Sequence, residues 1–196
     1  MANNDAPFGL RPTRMIGGAP YNGSQSRYRI GNNEGTSIFQ GDLVQQDTAG
    51  TITRWDRTSN SGADLVLGVF MGCRFTDPST KKETFQNHYT QTAAADIEAF
   101  VVDDPNVVFE IQADDTFPVT DLFGNFNTVE GVAGSTTTGL SGTELDVTTG
   151  AADAALPLKA IDISLDPDND DTGSANTNVL VVINNHVYGH VTAGLT

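Results

Sequence analysis

Three aspartates at alternate positions, Asp166, Asp168 and Asp170, come closest in this sequence to a metal-binding pattern. Hard carboxylate oxygens so spaced converge on one calcium ion in the D-x-D-x-D opening of an EF-hand loop. The pattern then breaks. Its sixth position is Asp171, where the turn of such a loop needs glycine, and its twelfth is Thr177, where a bidentate glutamate is needed. A solvated acidic loop between two strands accounts for the same residues, so we expect no metal and no cofactor, with these three as the candidates should a cation bind. His186 and His190 have the H-x-x-x-H spacing of a zinc pair on a helix, but their surroundings read as strand. Strand positions four apart share a face at roughly 13 Å, too far to chelate one ion, and nothing in its spacing recruits His88 as a third ligand. Cys73 is the single cysteine. It excludes an intrachain disulfide, suits a reducing compartment, and reads as a buried inert thiol, since no histidine or acid close in sequence would activate it.

Sequence signatures of catalysis are missing: no G-x-S-x-G, Walker A loop, G-x-G-x-x-G or H-E-x-x-H occurs. With 25 acidic residues in the chain, two carboxylates at some spacing carry no information. Only a pair held ~5–10 Å apart across a cleft would point to a glycosidase. We therefore expect no enzyme.

The elements around these residues are strands. Residues 97–113, IEAFVVDDPNVVFEIQA, hold two apolar runs about Asp103-Asp104-Pro105-Asn106, and Pro105 suits the second position of a type I turn. The stretch reads as a hairpin at the centre of the fold. In its second run Val107, Phe109 and Ile111 alternate with Val108, Glu110 and Gln112, the period of a half-buried strand. Its first run is apolar on both faces, as in a strand covered on both sides or a surface that a partner covers. Upstream, residues 36–72 read as strand, turn, strand, polar loop, strand. In LVLGVFMG, Leu65, Leu67, Val69 and Met71 share one face if the run is regular, and Gly68 and Gly72 on the other invite close approach by another backbone. Residues 114–155 read as a loop-rich excursion that Phe117, Leu122, Phe123 and Phe126 anchor, with TELDV as a short strand. LKAIDISL and VLVVINN close the chain as strands, the latter central, and helix is confined to residues 92–95 or 151–155.

At 196 residues the chain has the length of one domain that buries a core without disulfides. Its net charge of −15 argues against nucleic acid and anionic membrane as direct partners. The start, MANNDAPFGLRP, lacks the apolar core of a signal peptide, and no stretch approaches the ~18 apolar residues of a membrane span. Residues 1–30 stand apart: four arginines against Asp5 give +3, leaving −18 for residues 31–196. Their prolines and glycines oppose helix and central strand, yet Phe8, Leu10, Met15, Ile16, Tyr21 and Tyr28 are too apolar for a solvated tail. Either this chain's body or a neighbour buries them, and the arginines either meet an acidic surface or only aid solubility.

Taken together, APFGLRP, PYNG, IFQGDLV, LGVFMGC, FVVDDPNVVFEIQAD and VVINNHVYGH resemble tailed-bacteriophage virion proteins regarded as capsid decoration or cement proteins, in phages of marine and cyanobacterial hosts. A smaller likeness, in Gly41-Asp42-Leu43-Val44, a turn, and Leu67-Gly68-Val69, runs to lambda-type head decoration proteins. The resemblance implies a β-tulip-like core, an N-terminal arm that adds to a neighbouring subunit, trimers at local threefold positions, and a place on the capsid exterior after synthesis in the bacterial cytoplasm. Residues 114–155 have no counterpart in that smaller likeness.

The expectation is thus an all-β protein. Residues 31–196 form a sandwich or barrel-like body with long loops, and residues 1–30 form an extended arm docking through Phe8, Leu10, Arg11, Tyr21, Tyr28 and Arg29. Its partners would be the major capsid protein and further copies of itself, and a chain lacking residues 2–30 would fold but no longer decorate shells. The rival readings are a glycan-binding sandwich on the virion, with Trp55 and Tyr89 as the loop-like aromatic candidates, and a tail or neck component.

Overall fold

The apolar runs that alternate with a period of two become strands, and turns rich in Gly, Pro, Asn and Asp separate them. The computed structural model describes residues 3–55, 65–129, 131–169, 171 and 173–189. Along the chain run β1 (Arg11–Met15), β2 (Ser26–Arg29), β3 (Ile38–Phe39), β4 (Leu43–Gln46), β5 (Ile52–Arg54), β6 (Val66–Thr76), β7 (Glu83–Gln86), β8 (His88–Tyr89), β9 (Glu98–Val102), β10 (Val107–Gln112), β11 (Asn125–Thr128), β12 (Leu145–Ala151), β13 (Leu158–Ile163) and β14 (Asn178–Ile183). Among the described residues helix is limited to single 3-10 turns at Val119–Asp121 and Pro167–Asn169. Residues 92–95 and 151–155 are not helical.

The fold is an all-β, sandwich-like body without a closed barrel. One sheet has the order β1-β10-β14-β13-β11-β12, a second β2-β9-β6-β4-β5 with β7 against the far end of β6, and β3 pairs with β8 alone. Phe109, Ile111, Leu158, Val179 and Val181 of the first sheet pack with Leu43, Val69 and Val102 of the second in one core. A second core gathers Val44, Leu67, Phe70, Ala99 and Val101 with Ile38 and Tyr89 of the β3-β8 pair. The second sheet is thereby covered on both faces, which is why its strands read as unbroken apolar runs rather than alternating ones.

The turn at Asp104-Pro105-Asn106-Val107 forms as its residues dictate: the Val107 N–H donates to the Asp104 carbonyl at 3.1 Å, and the Asn106 N–H to the Asp104 side chain at 2.8 Å. The hairpin does not form. β9 pairs with β2 and β6, whereas β10 pairs with β1 and β14, so the turn carries the chain from one sheet to the other. Each strand already has two neighbours, which leaves neither an edge to offer the other.

The regular face expected for residues 65–71 also gives way. Val66 and Val69, with Met71 partly buried, join the first core, while Leu67, Phe70, Cys73 and Phe75 join the second. The register of β6 slips against β4 between Val66 and Gly68 and against β9 between Phe70 and Gly72, and each bulge re-aims the following side chain. Close backbone approach at the glycines is as expected: a Cβ on Gly68 would lie 2.3 Å from the Val102 carbonyl oxygen.

Residues 3–30 belong to the body, so the division at residue 30 has no structural counterpart. β1 forms the outer strand beside β10, and β2 the outer strand beside β9. The segment therefore straddles the corner between the sheets and clips them together. Leu10 is 2% exposed within the first core, Ile30 is buried in the second, and the Gln112 side chain bonds to Asn4 and Ala6. Residues 114–155 are equally tied in. β11 and β12 complete the first sheet, with β12 extending beyond TELDV to Ala151, and the Gly139 carbonyl and Ser141 N–H bond to Gln40.

Candidate functional site

The six residues expected to dock on a neighbour fare differently. Leu10 is a core side chain, and its burial closes a docking role to it. Arg11 stands opposite Glu110 in the β1-β10 ladder, forms an ion pair with it, and lies 4.7 Å from the centroid of the Phe8 ring. Phe8 and Arg11 thus serve the body first, by neutralising a carboxylate that is nearly buried. Tyr21 and Tyr28 are half-buried at the corner, where the Tyr21 hydroxyl donates to the Ser24 carbonyl at 2.7 Å. Arg29 is exposed.

Asp103 organises the corner. It accepts from the Tyr28 hydroxyl at 2.7 Å and the Ser26 hydroxyl at 2.9 Å, fastening β2 to the turn after β9. The Tyr188 hydroxyl lies 3.4 Å from that of Tyr28. Burial, reinforced by the bonds to Tyr188 and Asp103, pushes the Tyr28 phenol well above its ordinary range, so it stays a neutral donor. His186, 1% exposed, accepts the Tyr188 N–H on Nδ1 at 2.9 Å, and burial holds its pKa below that of free histidine. The corner is a lock between the sheets.

Outside the corner, the β2 edge is basic. Arg27 and Arg29 are exposed on it, and Arg27 comes only within 3.9 Å of Glu98. Glu98 bonds more closely to Arg74 at 2.8 Å, and Arg74 also reaches Glu83 at 2.7 Å. The Arg74 guanidinium first, then Arg27 and Arg29, hold the Glu98 carboxyl below the usual range. The edge therefore keeps arginine donors facing water, suited to carboxylates on another surface.

The other candidates separate. Asp166 is exposed at the start of the Pro167–Asn169 turn, while Asp170 and His190 lie outside the described residues. Among the described residues no three His, Cys, Asp or Glu side chains are grouped to hold a metal. His88 stacks on Phe39 at 5.9 Å between centroids. Cys73 is buried with its Sγ 3.4 Å from the His88 carbonyl, and burial raises its thiol pKa to about 12, which leaves it unreactive. Trp55 and Tyr89 are core residues, so the aromatic pair proposed for a glycan platform is inaccessible. Buried Asp42 accepts from the Phe39 N–H at 2.8 Å and from the hydroxyls of Ser141 and Thr143. Burial pushes its carboxyl pKa up against those bonds, and its work is to hold the 139–143 loop on the β3-β4 turn.

One surface was not anticipated. Phe123, expected to anchor its segment inward, is 51% exposed, and Val119 and Leu165 are 65% and 92% exposed. The real anchors are Phe117 and Phe126, whose rings meet at 5.4 Å in the core. Val119, Leu122, Ile163 and Leu165 line a groove of about 450 Å³. Its sequence signal was slight: Leu165 continues the apolar alternation of LKAIDISL past Ile163, the last residue of β13. Compared with family models, curated proteins and solved structures, the chain matches none.

Proposed function

We propose that the protein is a non-enzymatic decoration protein of a tailed-phage head, which binds the assembled shell from outside and stabilises it by bridging major capsid subunits. The observation that carries this reading is the exposed arginine edge of β2 on a body that is otherwise strongly acidic. Cementing a shell against internal pressure requires contact area on a rigid body and no bond made or broken. The clipped sandwich supplies the rigidity, and the arginine edge supplies contacts to an acidic neighbour. Many copies on one particle let modest contacts act together through avidity. The resemblance of APFGLRP, IFQGDLV, LGVFMGC and FVVDDPNVVFEIQAD to phage decoration proteins supports the same reading. The glycan-binding alternative loses its platform with Trp55 and Tyr89 in the core.

The test is addition of purified protein to heads that lack it. We expect co-sedimentation with the heads and a higher temperature of head disruption, both reduced by the double substitution Arg27→Glu and Arg29→Glu. Heads that neither bind the protein nor gain heat resistance would reject this function.

A further inference from the structure

We infer that the groove between the Val119–Asp121 turn and residues 163–167 is a docking surface for a basic face of the shell protein, one presenting an apolar side chain flanked by lysine or arginine. This inference rests on the function proposed above and names a second contact of opposite sign to the arginine edge.

Of the eight large hydrophobic side chains exposed among the described residues, Val119 and Leu165 line the groove, and exposed Phe123 follows Leu122, which also lines it. Scattered singly they would need no explanation, but a contiguous apolar surface on a soluble body marks an interaction site. Phe123 strengthens the point. Its φ of 70° is a left-handed conformation that costs a bulky residue strain, and the ring it projects remains half in water. The backbone is held there by the Phe123 N–H donating to the Ala160 carbonyl and the Ala160 N–H to the Gly124 carbonyl, at 2.9 and 3.1 Å.

Charge selects the occupant. Asp162 and Asp166 line the groove, and among the described residues no lysine or arginine lines it. A phosphate surface would be repelled. A basic protein face would be attracted, with its apolar side chain entering beside Leu122 and Leu165. The arginine edge belongs to β2 of the second sheet, whereas the groove lies beside β11 and β13 of the first, where its Asp166 and Asn169 also line a pocket with Asn3, Phe8 and Arg11. A bridging protein needs two such separated contacts.

The experiment compares shell binding by the full-length protein, by Val119→Asp with Leu165→Asp, and by Asp162→Lys with Asp166→Lys, using shells freed of the protein. All four side chains are exposed, so the unfolding midpoints should stay together. We expect each double variant to bind shells about tenfold or more weakly, as loss of a central contact does. Wild-type affinity in both variants would overturn the inference while leaving the decoration function standing. Sedimentation equilibrium showing that the wild type self-associates and the Asp variant is monomeric would overturn it in favour of a second copy. Failure of the wild type to bind shells at all would overturn both readings.

Discussion

The two flanks of the first sheet are built on opposite rules. At the β1 flank the strand's own groups are matched, although Ile16 just past its end is 54% exposed: Arg11 pairs with Glu110, Leu10 is in the core, and Gln112 is bonded to Asn4 and Ala6. Around the turns beside β11 and β13, Val119, Phe123 and Leu165 are left in water, one of them on strained backbone. A flank with its interactions satisfied internally contributes stability, and a flank with unmet apolar area is available to a partner. The N-terminal segment, which the sequence marks as the docking element, is thus the more structural of the two.

The sharpest way to break this comparison is to remove residues 2–30. The sequence suggested that a folded body would remain. The structure predicts the reverse, because the deletion uncovers β9 and β10 along one side and takes Leu10 and Ile30 from the two cores. Loss of a sigmoidal urea transition, with aggregation through the bared edges, is the expected outcome. A monomeric product with a wild-type transition would restore the independent arm.

Next in size is a pair of identical substitutions. Leu10→Ala should destabilise by about 3 kcal/mol, since it empties a core position, whereas Leu165→Ala should change stability by less than about 0.5 kcal/mol. Chemical denaturation gives both values, and equal effects would erase the distinction between the flanks. Arg11→Ala should follow at about 2 kcal/mol, because the Glu110 carboxylate is left almost buried without its counter-ion. Glu110→Gln should cost less, as no charge is stranded. The reverse ranking would mean that water already solvates Glu110.

What could be read from the sequence, and what could not, follows a physical division. Strand content, the turn at Pro105, the close approach at Gly68 and the inert Cys73 depend on nearest neighbours and were legible. Pairing was not. The same Asp-Asp-Pro-Asn turn serves a hairpin or a crossing between sheets, and only the presence of β2, β6, β1 and β14 decides between them. The bulges of β6 escape for the same reason, since a register slip belongs to two strands and not to one. Apolar residues also look alike whether they face a core or a partner, so in the sequence Phe123 reads as an anchor beside Phe117 and Phe126.

The smallest expected effect isolates that residue. Phe123→Gly removes both the ring and the left-handed strain, while Phe123→Ala removes the ring and keeps a Cβ at a φ of 70°. The glycine variant should therefore be the more stable of the two by about 1 kcal/mol, seen as a difference of roughly 2–4 °C in thermal midpoint. Glycine ordinarily loses to alanine through its greater freedom when unfolded, so this order appears only where the native backbone disfavours a side chain. Both variants should weaken shell binding alike, because both lack the ring. An alanine variant at least as stable as the glycine one would show that the fold bears no strain here, and the exposed ring would lose its claim to be held out for a partner.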